Sequence, residues 1–365
     1  MKKQAVVCTL LSGSLLLSGC SSMLEREYSA VSPHSATPVV ESDQLTIRVE
    51  SYQDLVNALI YFVTQGRETG VIRLYNYPYD VMKDMEAACQ EVAKEDPLGA
   101  YAVEDISFDV TPIVSCYEAS IQIDYRRTQQ QVASIMMAAG STAIREKLRE
   151  ALDQFQDELV LRINYFDEDE EYIRTLLWEA YLSSPGTALD FPQVTVNLYP
   201  EGSRQCIVEI LLDYSLEYTT LTRRQTQLEQ EAQDAAEHLQ GFFGNAAILE
   251  ARQMILDSTV YRPSGGATAY HALIDHQANS LGLALTMSLL CQQADISCFI
   301  VEGVYNGNPH YWNVISTDSG YLHLDLTYSE EEDSTPPFHS DEYMAEQGYL
   351  WDRSSTPTCG EPPIS

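Results

Sequence analysis

The sequence predicts an α+β protein in which two tandem small α+β repeat modules precede a larger α+β domain. One observation is an internal repeat, because segments 71–74 and 120–125 recur 89 residues later, as segments 160–163 and 209–214. A second is the order of patterns within each copy. Apolar residues at helical spacing alternate with short runs of alternating polarity, so each copy is predicted as helix, strand, helix, strand, strand.

The N-terminus has the pattern of a bacterial lipoprotein signal. Two lysines precede an apolar segment that ends in Leu17-Ser18-Gly19-Cys20, and small residues before a cysteine are typical of the cleavage site. We predict that residues 1–19 are removed, that Cys20 is lipidated, and that residues 20–43 form a flexible tether. A transmembrane anchor is the alternative, but the apolar segment is short for a bilayer. The predicted location is therefore the extracytoplasmic face of a bacterial cell membrane, with the lipid as anchor.

The first module is predicted over residues 44–133 and the second over 134–224. Helical positions also recur at the repeat distance, and they are Leu55, Leu59 and Val63 in the first copy and Ile144, Leu148 and Leu152 in the second. Modules of about ninety residues can each bury a core. Tandem modules of this size more often present or space a terminal domain than perform chemistry. The tyrosines at 75, 77 and 79 either bind a peptide or glycan or pack within the strand.

The charge balance excludes nucleic acid as a partner. The formal net charge is −33, which repels phosphate backbones and anionic lipid headgroups. The predicted partners are the membrane, through the lipid on Cys20, and an extracellular peptide, protein or cell-wall ligand. Two acidic runs, 167–171 and 330–333, are interpreted as solvated loops or helix starts, because neither has the spacing of a calcium loop.

Six cysteines remain after the signal and the lipidated residue are set aside, and they are Cys89, Cys116, Cys206, Cys291, Cys298 and Cys359. An even number outside the cell permits disulfides, and a Cys291–Cys298 pair is one option, but no dense spacing pattern requires them. No C-x-x-C pair or histidine cluster indicates a metal site. Neither a metal nor a cofactor is predicted.

The C-terminal domain, residues 225–359, is followed by a short tail at 360–365. Helical patterns at 225–238 and 248–256 lead into the segment from Ala269 to Ala284, which reads AYHALIDHQANSLGLA. Downstream lie Gly303 with the segment HYWNV at 310–314, then YLHLDLTY at 321–328, and a tail with Tyr-Leu-Trp-Asp at 349–352, Pro357 and Cys359.

These segments resemble the bacterial transglutaminase-like superfamily, the papain-like Cys/His/Asp fold. The family patterns run roughly A-Y-x-A-L-x-x-x-x-x-V-C-x-G-Y-A, then G with H-x-W-N-x-V, then D-x-T. The resemblance places Ser280 in the position of the nucleophilic cysteine, His310 as the base and Asp325 as the residue that orients the imidazole. The motifs of this resemblance are specific enough to predict a fold, but they do not predict a substrate.

The serine at 280 decides the functional prediction. A cysteine thiol has a pKa of about 8.5 that a neighbouring imidazolium lowers, whereas a serine hydroxyl has no comparable anion near neutral pH. Cys291 lies eleven residues further along the same predicted helix, about 16 Å away, and does not replace the missing thiol. Cys298 opens a predicted buried strand and is interpreted as a core residue. We therefore expect a domain that has lost thiol chemistry.

Three functions stay open at this point. The first is a non-catalytic groove for a peptide or cell-wall fragment, with Tyr270, Tyr311 and Trp312 as groove aromatics. The second is an active hydrolase or acyl-transferase, protease- or amidase-like, with a Ser280/His310/Asp325 triad. The third is a structural spacer or assembly protein. The blander alternatives are that Ser280 only caps its helix, that His310 is structural and that Asp325 caps a turn.

Overall fold

The computed structural model describes residues 39–40, 46–327 and 337–362 of the 365-residue chain. The α+β class is confirmed, because the helices pack against three mainly antiparallel sheets rather than alternate through one parallel sheet. The predicted signal peptide, Cys20, almost all of the tether and the acidic run 330–333 lie outside the described residues. Among the helices that are described, none is long and apolar enough to cross a membrane.

The first module is a five-stranded sheet with helices on one face. Its strand order is β1-β2-β3-β5-β4, in which β2 and β3 are parallel and the other neighbours antiparallel. Ser51 caps α1 by accepting a hydrogen bond from the Asp54 N–H, and the buried side of that helix carries Leu55, Leu59 and Phe62. The elements are β1 (Val39–Val40), β2 (Thr46–Val49), α1 (Tyr52–Thr64), β3 (Thr69–Tyr75), α2 (Val81–Lys94), α3 (Pro97–Ala102), β4 (Val103–Ile113) and β5 (Cys116–Tyr125).

The second module has the same strand order without the edge strand, β6-β7-β9-β8. Its register also matches, since Val71 pairs with Ser120 in the first sheet and Val160 pairs with Glu209 in the second, 89 residues further along. The acidic run at 167–171 supplies a helix start, because Asp169 caps α6. Helix α4 (Gln129–Ala133) falls at the end of the span predicted for the first module. The elements of the second are β6 (Met136–Ala138), α5 (Gly140–Asp153), β7 (Glu158–Asn164), α6 (Glu170–Ser183), β8 (Gln193–Tyr199) and β9 (Gln205–Asp213).

The first module covers the outer face of the second sheet. Val160 and Ile207 of that face are buried in the hydrophobic core of the first module. Between them on the same face, the carboxylate of Glu209 is 2% exposed and pairs with the Arg127 guanidinium. At the position equivalent to Glu209, the first sheet has an exposed Ser120. The two sheets therefore share one strand pairing, but the outer face is covered in the second and exposed to solvent at Ser120 in the first.

The C-terminal region surrounds a central helix, α10, that is buried from Leu281 to Cys291. This helix packs against α7, α8, α9 and an antiparallel sheet of order β14-β13-β12-β15. The elements are α7 (Tyr218–Leu239), α8 (Asn245–Ser258), β10 (Val260–Gly266), α9 (Ala269–Leu273), β11 (Gln277–Ala278), α10 (Ser280–Gln293), β12 (Cys298–Tyr305), β13 (Asn308–Thr317), β14 (Gly320–Leu324), α11 (Asp341–Glu346) and β15 (Tyr349–Trp351).

The second module and the C-terminal region share one hydrophobic core. Leu177 and Tyr181 of α6 belong to the same buried cluster as Tyr270 of α9 and Leu285 and Leu289 of α10. Helix α7 spans the predicted boundary between residues 224 and 225 and contributes to this cluster at its first half. The second module is therefore part of the framework that holds α10.

Candidate functional site

Ser280 is the first residue of α10, at the end of that helix nearest the sheet residue Tyr311. Its Oγ accepts a hydrogen bond from the Tyr311 backbone N–H, with N and Oγ 3.3 Å apart. The N-cap is the preceding residue, Asn279, whose side-chain oxygen accepts from the Gly282 N–H at 3.0 Å. The interpretation of Ser280 as a helix cap is therefore wrong, and its hydroxyl remains available at the surface of the site.

Gly282 lets the start of α10 approach the segment before it. A Cβ at this position would lie 2.7 Å from the Gly266 carbonyl oxygen and 2.9 Å from the Ala278 Cβ. Backbone atoms do not yield at such distances, so any larger residue would push the helix start away. The glycine two residues after Ser280 thus fixes where that hydroxyl lies.

His310 and Asp325 form a buried pair. His310 lies on β13 and Asp325 directly follows β14, and their Nε2 and Oδ2 atoms are 2.7 Å apart. The Asp325 carboxylate also accepts from the Tyr349 hydroxyl at 2.7 Å and from the Thr327 N–H and hydroxyl, each at 2.8 Å. Burial alone would raise the pKa of Asp325, but these hydrogen bonds outweigh it and hold the pKa below its usual value. Asp325 is therefore a carboxylate at neutral pH.

The imidazole of His310 is held between aromatic rings. Its centroid is 5.6 Å from that of Tyr305, 6.1 Å from Trp312 and 5.9 Å from Tyr349. The Asp325 bond and a 3.2 Å contact with the Thr327 hydroxyl both fall on Nε2. Within the described ranges Nδ1 has no hydrogen-bond partner, so it is the nitrogen that can exchange a proton with a ligand.

Ser280 and His310 line the same cleft, which has a volume of about 670 Å³. Its other lining residues are Tyr261, Pro263, Asn279, Leu281, Tyr305, Asn306, Asn308, Pro309, Tyr311 and Thr327. No carboxylate, lysine or arginine is among them, although the chain as a whole has a net charge of −33. In the described part of the chain no hydrogen bond joins the Ser280 hydroxyl to His310. The cleft therefore holds both residues without linking them.

The structure corrects two of the three predicted groove aromatics. Tyr311 lines the cleft, as predicted. Tyr270 is buried, with its hydroxyl donating to Gln227 at 3.0 Å and the Arg224 guanidinium over its ring. Trp312 is 1% exposed and packs behind His310. Tyr270 is part of the hydrophobic cluster shared with the second module, and Trp312 is covered by Val301, Met344 and Tyr349, so both are core residues.

Sequence reasoning missed three residues that shape the site. Tyr349 and Thr327 hold Asp325, and Tyr305 forms a wall beside His310. Thr327 lies two residues after Asp325, where an Asp side chain commonly accepts from the backbone, so a local signal for it exists. Tyr349 lies in the motif tail at 349–352, but nothing local in the sequence indicates its bond to Asp325, because it reaches that residue from a separate strand.

A second buried pair lies behind Trp312. His323 Nε2 is 2.9 Å from Asp341 Oδ1, and the Trp312 Nε1–H donates to His323 Nδ1 at 2.9 Å. With the Cys359 thiol, these side chains form the one group of potential metal ligands among the described residues. Since Nδ1 accepts from Trp312, Nε2 must carry the proton in the neutral ring and has no lone pair for a metal. Burial also raises the pKa of Cys359 to about 12, so the group does not fit a metal ion.

The six remaining cysteines are free thiols. Cys298 opens β12 as predicted, but the strand is not the buried one expected, since Cys298 is half-buried and Phe299 is 41% exposed. The Cys298 sulfur accepts from the Asn313 amide at 3.3 Å. Burial and the neighbouring Cys291 thiol raise the pKa of Cys298 well above its usual value. The Cys298 thiol is therefore protonated at neutral pH and a poor substitute for a catalytic thiolate.

Comparisons with known proteins give weak structural neighbours. No family model matches the chain, and no curated protein matches it. A TGase structure aligns with 63% of this chain and 67% of its own at 12% identity, TM-score 0.26. A proposed cysteine protease from Cytophaga hutchinsonii aligns with 37% of this chain and 62% of its own at 9% identity, TM-score 0.25. A proposed protease from Parabacteroides distasonis aligns with 74% and 67% at 8% identity, TM-score 0.23.

The neighbours are thus transglutaminase-like and protease-like proteins. Likenesses of this size do not establish a shared fold or a function. The functional conclusion depends on the residues of the site.

Proposed function

We propose that this chain is an extracytoplasmic lipoprotein, anchored through Cys20, whose C-terminal domain is a transglutaminase-like binding module that does not turn its ligand over. The observation that carries the proposal is the state of Ser280. Its hydroxyl, which the proposed family resemblance sets in the position of a thiol, accepts from the Tyr311 N–H and has no hydrogen bond to His310. Without that bond, no base is positioned to remove the serine proton.

The lining of the cleft supports an uncharged, amide-rich ligand. The amides of Asn279, Asn306 and Asn308 offer both donors and acceptors, and Tyr261, Tyr305 and Tyr311 offer flat apolar surfaces with hydroxyl groups. A peptide backbone or a cell-wall fragment has matching groups. We infer that such an extended chain lies across the cleft with Ser280 and His310 beneath it.

The two modules are proposed to be copies of one α+β unit. Residues 89 apart occupy equivalent pairing positions, as for Ile47 with Ile72 and Met136 with Leu161. Their role is to hold the binding domain at a distance from the membrane, at the end of the tether formed by residues 20–43. The second copy also supports α10 through the shared core.

The test is intact-protein mass spectrometry on the soluble part, residues 21–365, after exposure to a fluorophosphonate serine probe. We expect no adduct on the native protein or on the Ser280→Ala variant. The Ser280→Cys variant should react with a thiol probe much faster than the six native cysteines, whose thiols are mostly buried. That pair of results would mean that the geometry of a nucleophile site persists without its nucleophile.

A second candidate is an active hydrolase or acyl-transferase with Ser280 as nucleophile. It is favoured by the His310–Asp325 pair, in which the carboxylate has four hydrogen-bond contacts and the imidazole an Nδ1 that no described residue bonds. Hydrogen bonds of catalytic groups can also tighten only when substrate binds. A fluorophosphonate adduct on the native protein that is absent from Ser280→Ala would establish this function and reject the binding proposal.

A further inference from the structure

Helix α6 of the second module brings a tryptophan to the edge of the cleft. Trp178 donates from Nε1 to Glu302 Oε2 on β12 at 2.7 Å. Its ring stacks on that of Tyr181, with the centroids 5.5 Å apart. It makes T-shaped contacts with the rings of Phe191 and Tyr311, at centroid distances of 5.0 and 6.4 Å. A residue of the second module is therefore in direct contact with the cleft wall of the C-terminal domain.

The Glu302 carboxylate lies among these rings. It is exposed, and β-sheet pairing sets it opposite Tyr311. Burial, together with the charge and a hydrogen bond of Glu302, raises the pKa of the Tyr311 hydroxyl to about 12. Among the described residues, no lysine, arginine or histidine forms an ion pair with Glu302. Its donor from Trp178 is neutral, so no basic side chain of the described residues occupies the position beside this carboxylate.

The surface around Glu302 continues the cleft. Tyr311 belongs to both, because its ring contacts Trp178 while its backbone N–H donates to the Ser280 hydroxyl. Phe191 is 40% exposed, and Trp178 is half-buried, so both rings have free surface. A ligand chain that passes Ser280 would reach this surface with its neighbouring side chain.

We propose that Trp178, Phe191, Glu302 and Tyr311 form a subsite for a cationic side chain of the peptide that the cleft binds. This inference rests on the proposed function. A guanidinium or ammonium group is attracted to the faces of aromatic rings and forms charge-assisted hydrogen bonds with a carboxylate. The planar guanidinium of arginine can do both at once, because it stacks while donating in its plane.

Other side chains fit this surface less well. An acidic group would meet Glu302 and the overall charge of −33. An apolar group would cover the carboxylate and desolvate it without supplying a donor. A cationic group is the class of side chain that can pair with the Glu302 carboxylate and also stack on the aromatic rings.

The experiment compares two peptides that differ in charge but hardly in shape, acetyl-Ala-Ala-Arg-Ala-Ala-amide and the same peptide with citrulline in place of arginine. Binding to residues 21–365 is measured by isothermal titration calorimetry at low salt. We expect the arginine peptide to bind about tenfold tighter. Glu302→Gln should bring the two affinities together, whereas Glu346→Gln, which removes an exposed carboxylate on α11 of the same domain, should leave the ratio unchanged.

The outcomes separate this inference from the proposed function. Equal binding of both peptides by the native protein, or an arginine preference that survives Glu302→Gln, would overturn the subsite while the peptide cleft stands. Failure of both peptides to bind would overturn both proposals. The cleft itself is tested with Ser280→Cys blocked by N-ethylmaleimide, which should abolish binding of both peptides. Binding of either peptide that persists after this block would mean that the peptide lies outside the cleft and would overturn both proposals.

Discussion

Two buried His–Asp pairs lie on adjoining strands in the described part of the chain, and one of these two faces the cleft. In both, the Nε2 atom of the imidazole lies against a carboxylate, at 2.7 Å for His310 and Asp325 and at 2.9 Å for His323 and Asp341. They differ at the other ring nitrogen. His323 Nδ1 accepts from Trp312, whereas His310 Nδ1 is without a partner in the described ranges and its residue lines the cleft.

The difference teaches that a His–Asp pair is not itself a sign of catalysis. When the second nitrogen has a fixed donor, the tautomer is set and the imidazole is a structural connector. When the second nitrogen is free at a cleft, the ring can take or give a proton. His323 therefore serves the packing of Trp312, and Trp312 in turn packs against the ring of His310.

Removal of each histidine should separate the two roles most clearly. His323→Ala leaves the Trp312 N–H and the Asp341 carboxylate buried without their partner, and we expect a loss of about 3–4 kcal/mol in the free energy of unfolding. His310→Ala leaves Asp325 with its bonds from Tyr349 and Thr327, so a loss of about 1–2 kcal/mol is expected. Urea denaturation of both variants measures this, and equal losses would contradict the distinction.

Whether the His310 imidazole can act on a group in the cleft can be tested by placing a thiol at position 280. In Ser280→Cys, we expect His310 to favour the thiolate, so that removing His310 slows alkylation by iodoacetamide at pH 7 about tenfold or more. The matched control removes His238, an exposed histidine that pairs with Glu250 on the surface. Alkylation rates that fall equally in Ser280→Cys/His310→Ala and Ser280→Cys/His238→Ala would argue against a role for His310 in the cleft.

The pH dependence of unfolding should show the contribution of the Asp325 carboxylate, which we expect to be smaller than the effects above. The pKa of Asp325 lies below its ordinary value in the folded protein, so this group contributes stability above its unfolded pKa of about 3.9. That contribution is lost as pH falls through the lower, folded pKa. We expect Asp325→Asn to cost about 1–2 kcal/mol at pH 7 and progressively less below about pH 4. A stability difference from the native protein that is the same at pH 3 and pH 7 would refute this assignment.

Local patterns in the sequence predicted much of the fold and part of the site. Helical spacing and alternating polarity depend on neighbouring residues, so the module elements could be predicted, and the motif spacing identified His310 and Asp325 together. Gly303 belongs to the same motif, and its role is physical, since a Cβ there would lie 2.6 Å from the Trp312 ring. A close approach of this kind requires glycine at one position, and a glycine can be recognised in the sequence.

The remainder could not be predicted because it depends on contacts between distant segments. Asp341 reaches His323 from a separate helix, with no periodic relation between the two positions. Tyr270 was expected in the groove, but the second module and α7 cover it. Trp178 lies more than one hundred residues before Glu302, in another module, and no spacing rule connects them.

The hydrophobic cluster that spans α6, α9 and α10 limits how the C-terminal part can be used on its own. A fragment that begins at residue 225 would lack the α6 residues of this cluster, such as Leu177 and Tyr181, and would uncover part of the surface formed by Tyr270, Leu285 and Leu289. Exposed apolar surface of this kind favours aggregation. Exchange of this domain between proteins, in the laboratory or by recombination, would therefore have to carry the second module with it.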